Sequence, residues 1–390
     1  MPETHARLSA SGSKKWLNCP GCIQLEAQFP DATSQYAAEG TTAHALGEAK
    51  INLAMKKISR IGYHKQVEKL DIEEDMQDYT DGYRDFVLER YNSALQHSKD
   101  AVLAVERQID LSSYIPDGFG TGDAVIISTG ALEIIDLKYG QGVSVSAKSN
   151  PQLRLYALGA LDCYDYLYDI DTVTMTIYQP RIDNISSETM TAGELYKWGE
   201  KVKEKAKIAN DDKVIDCIAG KHCDDGFCKA RPICRAYAEQ KQKLAVYDFR
   251  PPEKLSTDEI AEIIDQADSL CKWAKLVKDY ALSKALNDGI RFPGFKLVEG
   301  RSNRTYTGDE EEIVARLTES GYTEKQIFSK KLKGITDMEK LLGKVDFQHI
   351  LGDYVIKPQG APTLVPTEDK RPEINSVQQA REDFKEIIEN

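Results

Sequence analysis

Long apolar stretches are missing from this chain. No segment approaches the roughly 18 consecutive apolar residues of a membrane-spanning helix, so a transmembrane span is excluded. The opening residues, MPETHARLSASGSKKW, lack the apolar stretch of a secretory signal, and export is not expected. Positive charge is also in short supply. Lys and Arg number 51 against 63 Asp and Glu, a net charge of -12. A protein that coats nucleic acid through bulk charge would usually be basic. Any nucleic-acid contact therefore needs a local basic groove, or metal ions that offset phosphate charge. Eight cysteines in a chain without an export signal point to a reducing, cytoplasmic setting. There, clustered thiols serve as metal ligands more often than as disulfides.

What is present is ordinary globular material: 41% hydrophobic and 29% charged residues over 390 positions. That suffices for a core without disulfides, and the length suggests two to three domains. The first 30 residues hold a small cysteine-bearing segment, KKWLNCPGCIQLE. From about Tyr36 the pattern turns helical, with Ala43, Leu46, Ala49 and Ile51 at helical spacing. A second helical stretch, Glu73 to His97, carries Tyr79, Tyr83, Phe86, Val87 and Tyr91. The period then changes. AVLAVERQIDLS reads as a strand around Glu106, and residues 123–128 and 131–138 as two strands joined by a Thr129-Gly130 turn. Asn150-Pro151 opens a helix through PQLRLYALGALDCYDY. DTVTMTIYQP follows as a strand and ELYKWGEKVKEKAKIAN as a helix.

This order gives an α/β core. Residues 1–245 form that core with its cysteine segments, and residues 246–356 a mostly helical accessory domain with a short β-ribbon over 288–310. Residues 357–390 form an extended linker and terminal helix.

The hairpin carries the chemistry. Side chains alternate along a strand, so Asp136 and Lys138 share one face, and Glu133, Ile135 and Leu137 the other. A two-residue Thr129-Gly130 loop pairs Ser128 with Ala131 and puts Asp123 opposite Asp136. Facing residues have Cβ atoms about 4.5–5.5 Å apart. Carboxylates so close are tolerable with a cation between them, or with one protonated. Hard oxygen ligands suit magnesium or manganese. Lys138 on the same face suits a water or a developing charge on phosphate. The plain alternative is a hairpin with charges at its ends. Gln152 and Tyr156, four residues apart, share a helix face; His44 stands one turn before Glu48; Glu106 lies on the preceding strand. Each alone is also explained by packing.

Cys223, Cys228 and Cys234 form a tight set, with Cys217 just before it and Cys19-x2-Cys22 some 200 residues upstream. Such a set holds zinc or an iron–sulfur centre, and the N-terminal segment can supply the missing corner. Free buried thiols are the alternative, and His222 is a candidate zinc ligand. Cys163 and Cys271 fall in helical patterns and read as core residues.

Taken in order, Cys19, His44 in EGTTAHALGE, Asp123 in GTGD, Asp136 and Lys138 in IIDLK, Gln152 and Tyr156 in QLRLY, and the three closing cysteines resemble one family. It is the RecB-like branch of the PD-(D/E)xK nucleases, in particular phage members and the iron–sulfur nucleases of CRISPR adaptation. The likeness covers roughly residues 8–240. It implies a restriction-endonuclease-like core, a central mixed sheet flanked by helices, with an iron–sulfur clamp. It implies that His44, Asp123, Asp136 and the Leu137 backbone carbonyl bind magnesium or manganese, with Glu106 as a further candidate. Lys138 would be the catalytic lysine, with Gln152 and Tyr156 bordering the site and contacting DNA. Cys19, Cys223, Cys228 and Cys234 would hold a [4Fe-4S] cluster, with zinc as the alternative. The four-residue gap between Cys223 and Cys228 is longer than usual for such clusters, and Cys22 and Cys217 are surplus.

The implied activity is metal-dependent DNA hydrolysis, of exonuclease type, in phage recombination, replication or DNA processing in a bacterial cytoplasm. DNA is the expected partner, with a phage single-strand-binding or annealing protein as a further candidate, and no membrane. The rival readings are a catalytically silent DNA-binding scaffold and a zinc-stabilised adaptor. Lys296, Arg301 and Arg304 in GFKLVEGRSNRTY offer a possible further DNA grip, or simply a solvated basic edge.

Overall fold

The computed structural model describes residues 6–30, 35–73, 75–243, 251–296, 309–320, 323, 327–328 and 334–355. The chain divides into two compact units, Met1–Val298 and Glu299–Asn390. In the first, short helices α1 (Ser13–Trp16) and α2 (Cys22–Glu26) precede α3 (Gln35–Ala54), α4 (Arg60–Val67) and α5 (Met76–His97). Strands β1 (Val102–Asp110), β2 (Phe119–Ser128) and β3 (Ala131–Leu137) follow, then α6 (Pro151–Tyr168), β4 (Thr172–Gln179), β5 (Asn184–Thr191) and α7 (Ala192–Ala209). The unit continues with α8 (Lys221–Asp225), α9 (Arg235–Gln242) and the long α10 (Thr257–Asn287).

The five strands form one mixed sheet in the order β1-β2-β3-β4-β5. Only β3 and β4 run parallel, because α6 carries the chain from one to the other; every other neighbouring pair is antiparallel. Alternation along β2 and β3 feeds two cores. Val125, Ile127, Leu132 and Ile134 pack with α6 and α7, while Ala124, Ile126, Ile135 and Leu137 pack with Ile51 of α3 and Tyr83 and Val87 of α5. A sheet buried on both faces accounts for the near-continuous apolar run of β2 and β3.

The sheet is not regular at β1. Leu103 belongs to the α3–α5 core and Ile109 to the α6 core. Six residues apart, they would share a face in an even strand. The strand turns over between them, where Glu106 adopts a left-handed backbone with φ 46°.

α6 starts as its sequence dictates: Asn150 accepts hydrogen bonds from Gln152 N and Leu153 N, and Pro151 fills the first turn. Its Gly159 lies against β1, where an added Cβ would come within 2.4 Å of Ile109 Cγ2 and 2.5 Å of the Asp110 carbonyl oxygen. Cys163 and Cys271 are exposed, not core residues. Helical periodicity alone does not say which end of a helix leaves the core, and α6 turns outward after Leu161.

α10 falls within the first unit, so the division near residue 298 lies well beyond the expected boundary at 245. Described residues 288–296 contain no strand. The rest of the expected ribbon through residue 308, and the expected linker and terminal helix over 357–390, lie outside the described residues. The second unit contains helices Glu310–Glu319, Ile335–Leu342 and Lys344–Leu351. No described helix is long and apolar enough to cross a membrane.

Gly159→Ala is expected to cost about 1–3 kcal/mol by overpacking α6 against β1. Gly40→Ala in α3, with nothing within 4 Å of the added carbon, is the control, expected to be neutral or stabilising. Urea denaturation of both variants checks the difference.

Candidate metal centre

Three strands converge where their charged residues meet. Ser128 pairs with Ala131, and the ladder continues to Ala124 facing Ile135. The next rung of that register is Asp123 and Asp136. On the other side of β2, Val105 pairs with Ala124 and Arg107 with Gly122, so Glu106 flanks Asp123. Asp123 Oδ2 accepts a hydrogen bond of 2.7 Å from Leu137 N, which fixes the carboxylate across the two strands. The bond seen at Leu137 is thus made by its N–H.

α3 brings His44 to this point. Its Nδ1 lies 3.3 Å from Asp123 Oδ2 and 3.7 Å from Glu106 Oε1. One donor atom each of His44, Glu106 and Asp123 lie within 4.8 Å of one another, a spacing that can hold an ion. One imidazole and two carboxylates make a mainly hard donor set, suited to magnesium or manganese. Asp136 is not in this trio. Its Oδ2 lies 2.9 Å from Lys138 Nζ on the α6 side. Gln152 joins the pieces: its Oε1 accepts from Lys138 Nζ at 3.1 Å, and its Nε2 donates to Asp136 Oδ1 at 3.4 Å and to Tyr156 OH at 3.2 Å. His44, Glu106, Asp123, Asp136, Lys138, Gln152 and Tyr156 are therefore brought together in one linked cluster.

Burial and charge oppose each other here. Asp136 is 2% exposed. Burial drives its carboxyl above the ordinary range, Lys138 draws it back, and Asp123 adds to the rise. Burial disfavours the Lys138 ammonium, but Asp136 and Asp123 more than offset it and hold the amine above its usual value. His44 behaves alike. Burial works against its charge, yet Asp123 and Glu106 push its pKa up to about 10. Burial, then Asp136, pushes the Tyr156 hydroxyl up to about 12.

Tyr83 fits the helical apolar pattern of α5, and nothing in the sequence marks it as functional. It is 2% exposed, and its hydroxyl has no hydrogen-bond partner among the described residues. Burial, then the charges of Asp123, Glu106 and Asp136, raise its pKa. Glu48 adjoins the same group. Burial and then the Glu106 carboxylate raise it.

A second site gathers cysteines. Cys19, Cys22, Cys217, Cys223, Cys228 and Cys234 all line one cavity, with Lys15, His222 and Tyr237. Ile218 N donates to Cys19 Sγ at 3.2 Å, joining positions 199 residues apart. Contacts with Cys217 and then Cys22 hold the Cys19 thiol far below its usual range, and Cys217 holds Cys234 down to about 6. Thiols from the first helices and from the segment after α7 therefore line one cavity. No three of these sulfurs meet the 4.8 Å mutual spacing found at His44, among the described residues. Lys296 is exposed and distant in sequence from both sites. Arg301 and Arg304 lie outside the described residues.

The raised value of His44 has a definite sign. Its charged form is favoured by folding, so the stabilisation is complete below the ordinary value of 6.5 and is lost as pH rises through about 10. In chelator-treated protein, the stability advantage of the parent over His44→Gln is expected to shrink over that window. Denaturation at several pH values checks it, and a constant difference across the window counts against the assignment.

Known proteins offer two comparisons. The crystal structure of SSO0001 is similar at 13% sequence identity, covering 55% of this chain and 93% of that chain, with a TM-score of 0.19. A family model described as "Protein of unknown function (DUF2800)" matches residues 5–372, nearly the whole sequence, and the chain belongs to that family.

Proposed function

We propose that this chain is a divalent-metal-dependent deoxyribonuclease of the RecB-like, PD-(D/E)xK type, an exonuclease acting in phage DNA recombination, replication or processing. One observation carries the reading. Asp136, paired with Lys138 at 2.9 Å, faces Asp123 on the same rung of the hairpin, beside the His44–Glu106–Asp123 trio. A purely structural ion pair has no need of three further metal-type donors at its side.

His44, Glu106 and Asp123, with Asp136, are the residues that would hold magnesium or manganese. Such an ion supplies charge to the scissile phosphate and acidity to a bound water. The protein's own groups do the rest. Lys138 is held in place by Asp136 and Gln152, so its ammonium needs little reorganisation to meet negative charge gathering on phosphate oxygens. Gln152 bridges that lysine and Tyr156, and α6, with its capped first turn, carries both Gln152 and Tyr156. Asp123 is pinned by Leu137 N and cannot swing away from the shared edge. The cation also answers the objection from net charge. A chain at -12 meets a polyanion only through local positive charge, and this cluster can supply it.

The six-thiol cavity supports a [4Fe-4S] cluster as a second centre, with zinc as its alternative occupant. Its role is structural, since thiolate–metal bonds there would tie the start of the chain to the segment after α7.

The test uses purified protein with end-labelled linear DNA and circular DNA, magnesium or manganese, and a chelator control. Metal-dependent loss of linear DNA is expected, with circular DNA spared. Asp136→Asn and Lys138→Ala are each expected to lower the rate at least ~10²-fold while leaving the melting transition in place. Parental cleavage by Asp136→Asn would overturn the reading.

A further inference from the structure

The polar strand β5 has a loop lying on it. NISSETMT alternates half-buried and exposed positions, and Asn184, Ser186 and Glu188 stand in the half-buried row. Each bonds a backbone group of residues 139–150, the segment that joins Lys138 to α6. Asn184 Nδ2 donates to the Val145 carbonyl at 2.8 Å. Ser186 Oγ accepts from Ala147 N at 3.0 Å, and Glu188 Oε1 from Ser149 N at 3.1 Å. Glu188 is itself held by Arg154 at 2.9 Å. Gln179, 1% exposed at the end of β4, completes the clamp. Its Nε2 donates to the carbonyls of Gly140 at 2.6 Å and Val143 at 2.9 Å, and its Oε1 accepts from Val145 N at 3.1 Å.

These bonds fix what the loop turns outward. In a trans peptide the N–H points opposite to the carbonyl of the residue before it, and no described peptide is cis. The carbonyls of Gly140, Val143 and Val145 point into the clamp. The N–H groups of Gln141, Ser144 and Ser146 therefore point away from it, on exposed residues. None of these three N–H groups has a hydrogen-bond partner among the described residues. Gly140 and Gly142 leave the surface open, since nothing lies within 4 Å of a Cβ added to either. Lys148, also exposed, adds a positive charge.

The loop lies on the face of the sheet that carries Asp136. Asp136 pairs with Ile177 and Ile177 with Ser186, so the three share one face. Ser186 stands two strands from Asp136, about 10 Å at ordinary strand spacing. Both ends of the loop also meet the candidate metal centre. Lys138 precedes it, Gln152 follows it, and their side chains bond at 3.1 Å.

Phosphate oxygens accept from backbone N–H groups and pair with lysine, contacts that position a nucleic acid without reading its sequence. Resting on the reading that the chain acts on DNA, we propose that residues 140–148 are a phosphate cradle. The N–H groups of Gln141, Ser144 and Ser146 and the Lys148 ammonium hold the DNA backbone beside the bond to be cut. Gln179 is the positioning residue that keeps those donors turned outward. Neutral donors suit a chain of net charge -12, because they grip phosphate with little added positive charge.

The experiment uses the full chain, a labelled DNA duplex and a chelator, so that no metal-dependent cleavage intervenes. Hydrogen exchange over residues 139–150 and fluorescence anisotropy across a salt series are read for the parent, Lys148→Gln and Gln179→Met. In the parent, DNA is expected to slow exchange in this segment several-fold. Lys148→Gln is expected to bind several-fold more weakly, with a salt slope shallower by about one. Gln179→Met removes no charge and is expected to weaken binding several-fold at the parental slope. A parent whose loop gains no protection overturns the cradle, as does parental affinity in either variant. If Gln179→Met shows no melting transition, Asn184→Ala on the edge strand takes its place under the same criteria. Loop protection in a protein that cleaves no DNA with metal supports the cradle and overturns the nuclease reading. Cleavage without loop protection does the reverse.

Discussion

The register of the β2–β3 hairpin decides which charged groups meet. Ser128 faces Ala131 across a two-residue loop, and Gly130 takes the positive φ of 78° that such a loop needs. A slip of one residue would turn β3 over, sending Asp136 and Lys138 toward α3 and α5 and Ile135 toward α6. The apolar alternation on both faces forbids that slip, because Ile134 and Ile135 already fill opposite cores. Packing of ordinary hydrophobic residues therefore sets the geometry of the acids, although none of those residues touches the chemistry.

Once assembled, the cluster supplies part of its own countercharge. Asp123, Glu106 and Asp136 would repel one another in a half-buried corner, and His44 and Lys138 neutralise part of that repulsion. Both cations are held charged against the cost of burial. A metal ion held at His44 would have to displace a proton there rather than fill a vacant field. Lys138 has its own partners, Asp136 at 2.9 Å and Gln152 at 3.1 Å.

Much of this was legible in the sequence for physical reasons. The hairpin announced itself by apolar alternation around Thr129-Gly130, and the register that followed carried Asp123 to Asp136. Asn150-Pro151 marked the start of α6, so Gln152 and Tyr156 fell on one face. β5 gave no such sign. NISSETMT is a polar edge strand, exposed at every second position and paired to β4 on one side only. α4, RIGYHKQV, buries no residue and leaves no apolar stripe to read. The turnover of β1 at Glu106 was hidden because a left-handed glutamate has no composition signature. Tyr83 was hidden for a different reason. A tyrosine at helical spacing looks like packing whether or not its hydroxyl faces a cluster of carboxylates.

The bond between Ile218 and Cys19 brings the segments before and after the sheet side by side, although all five strands run between them. The backbone between them is thus a near-closed circuit. Adjacent extremities mean that the order of elements along the chain is separable from the architecture they build. A permuted chain, opened at an exposed turn and spliced across the old ends, would have the same strands to pair and the same helices to cover them. What the native order adds is timing: during synthesis the first cysteines must wait for the last before their shared pocket can exist.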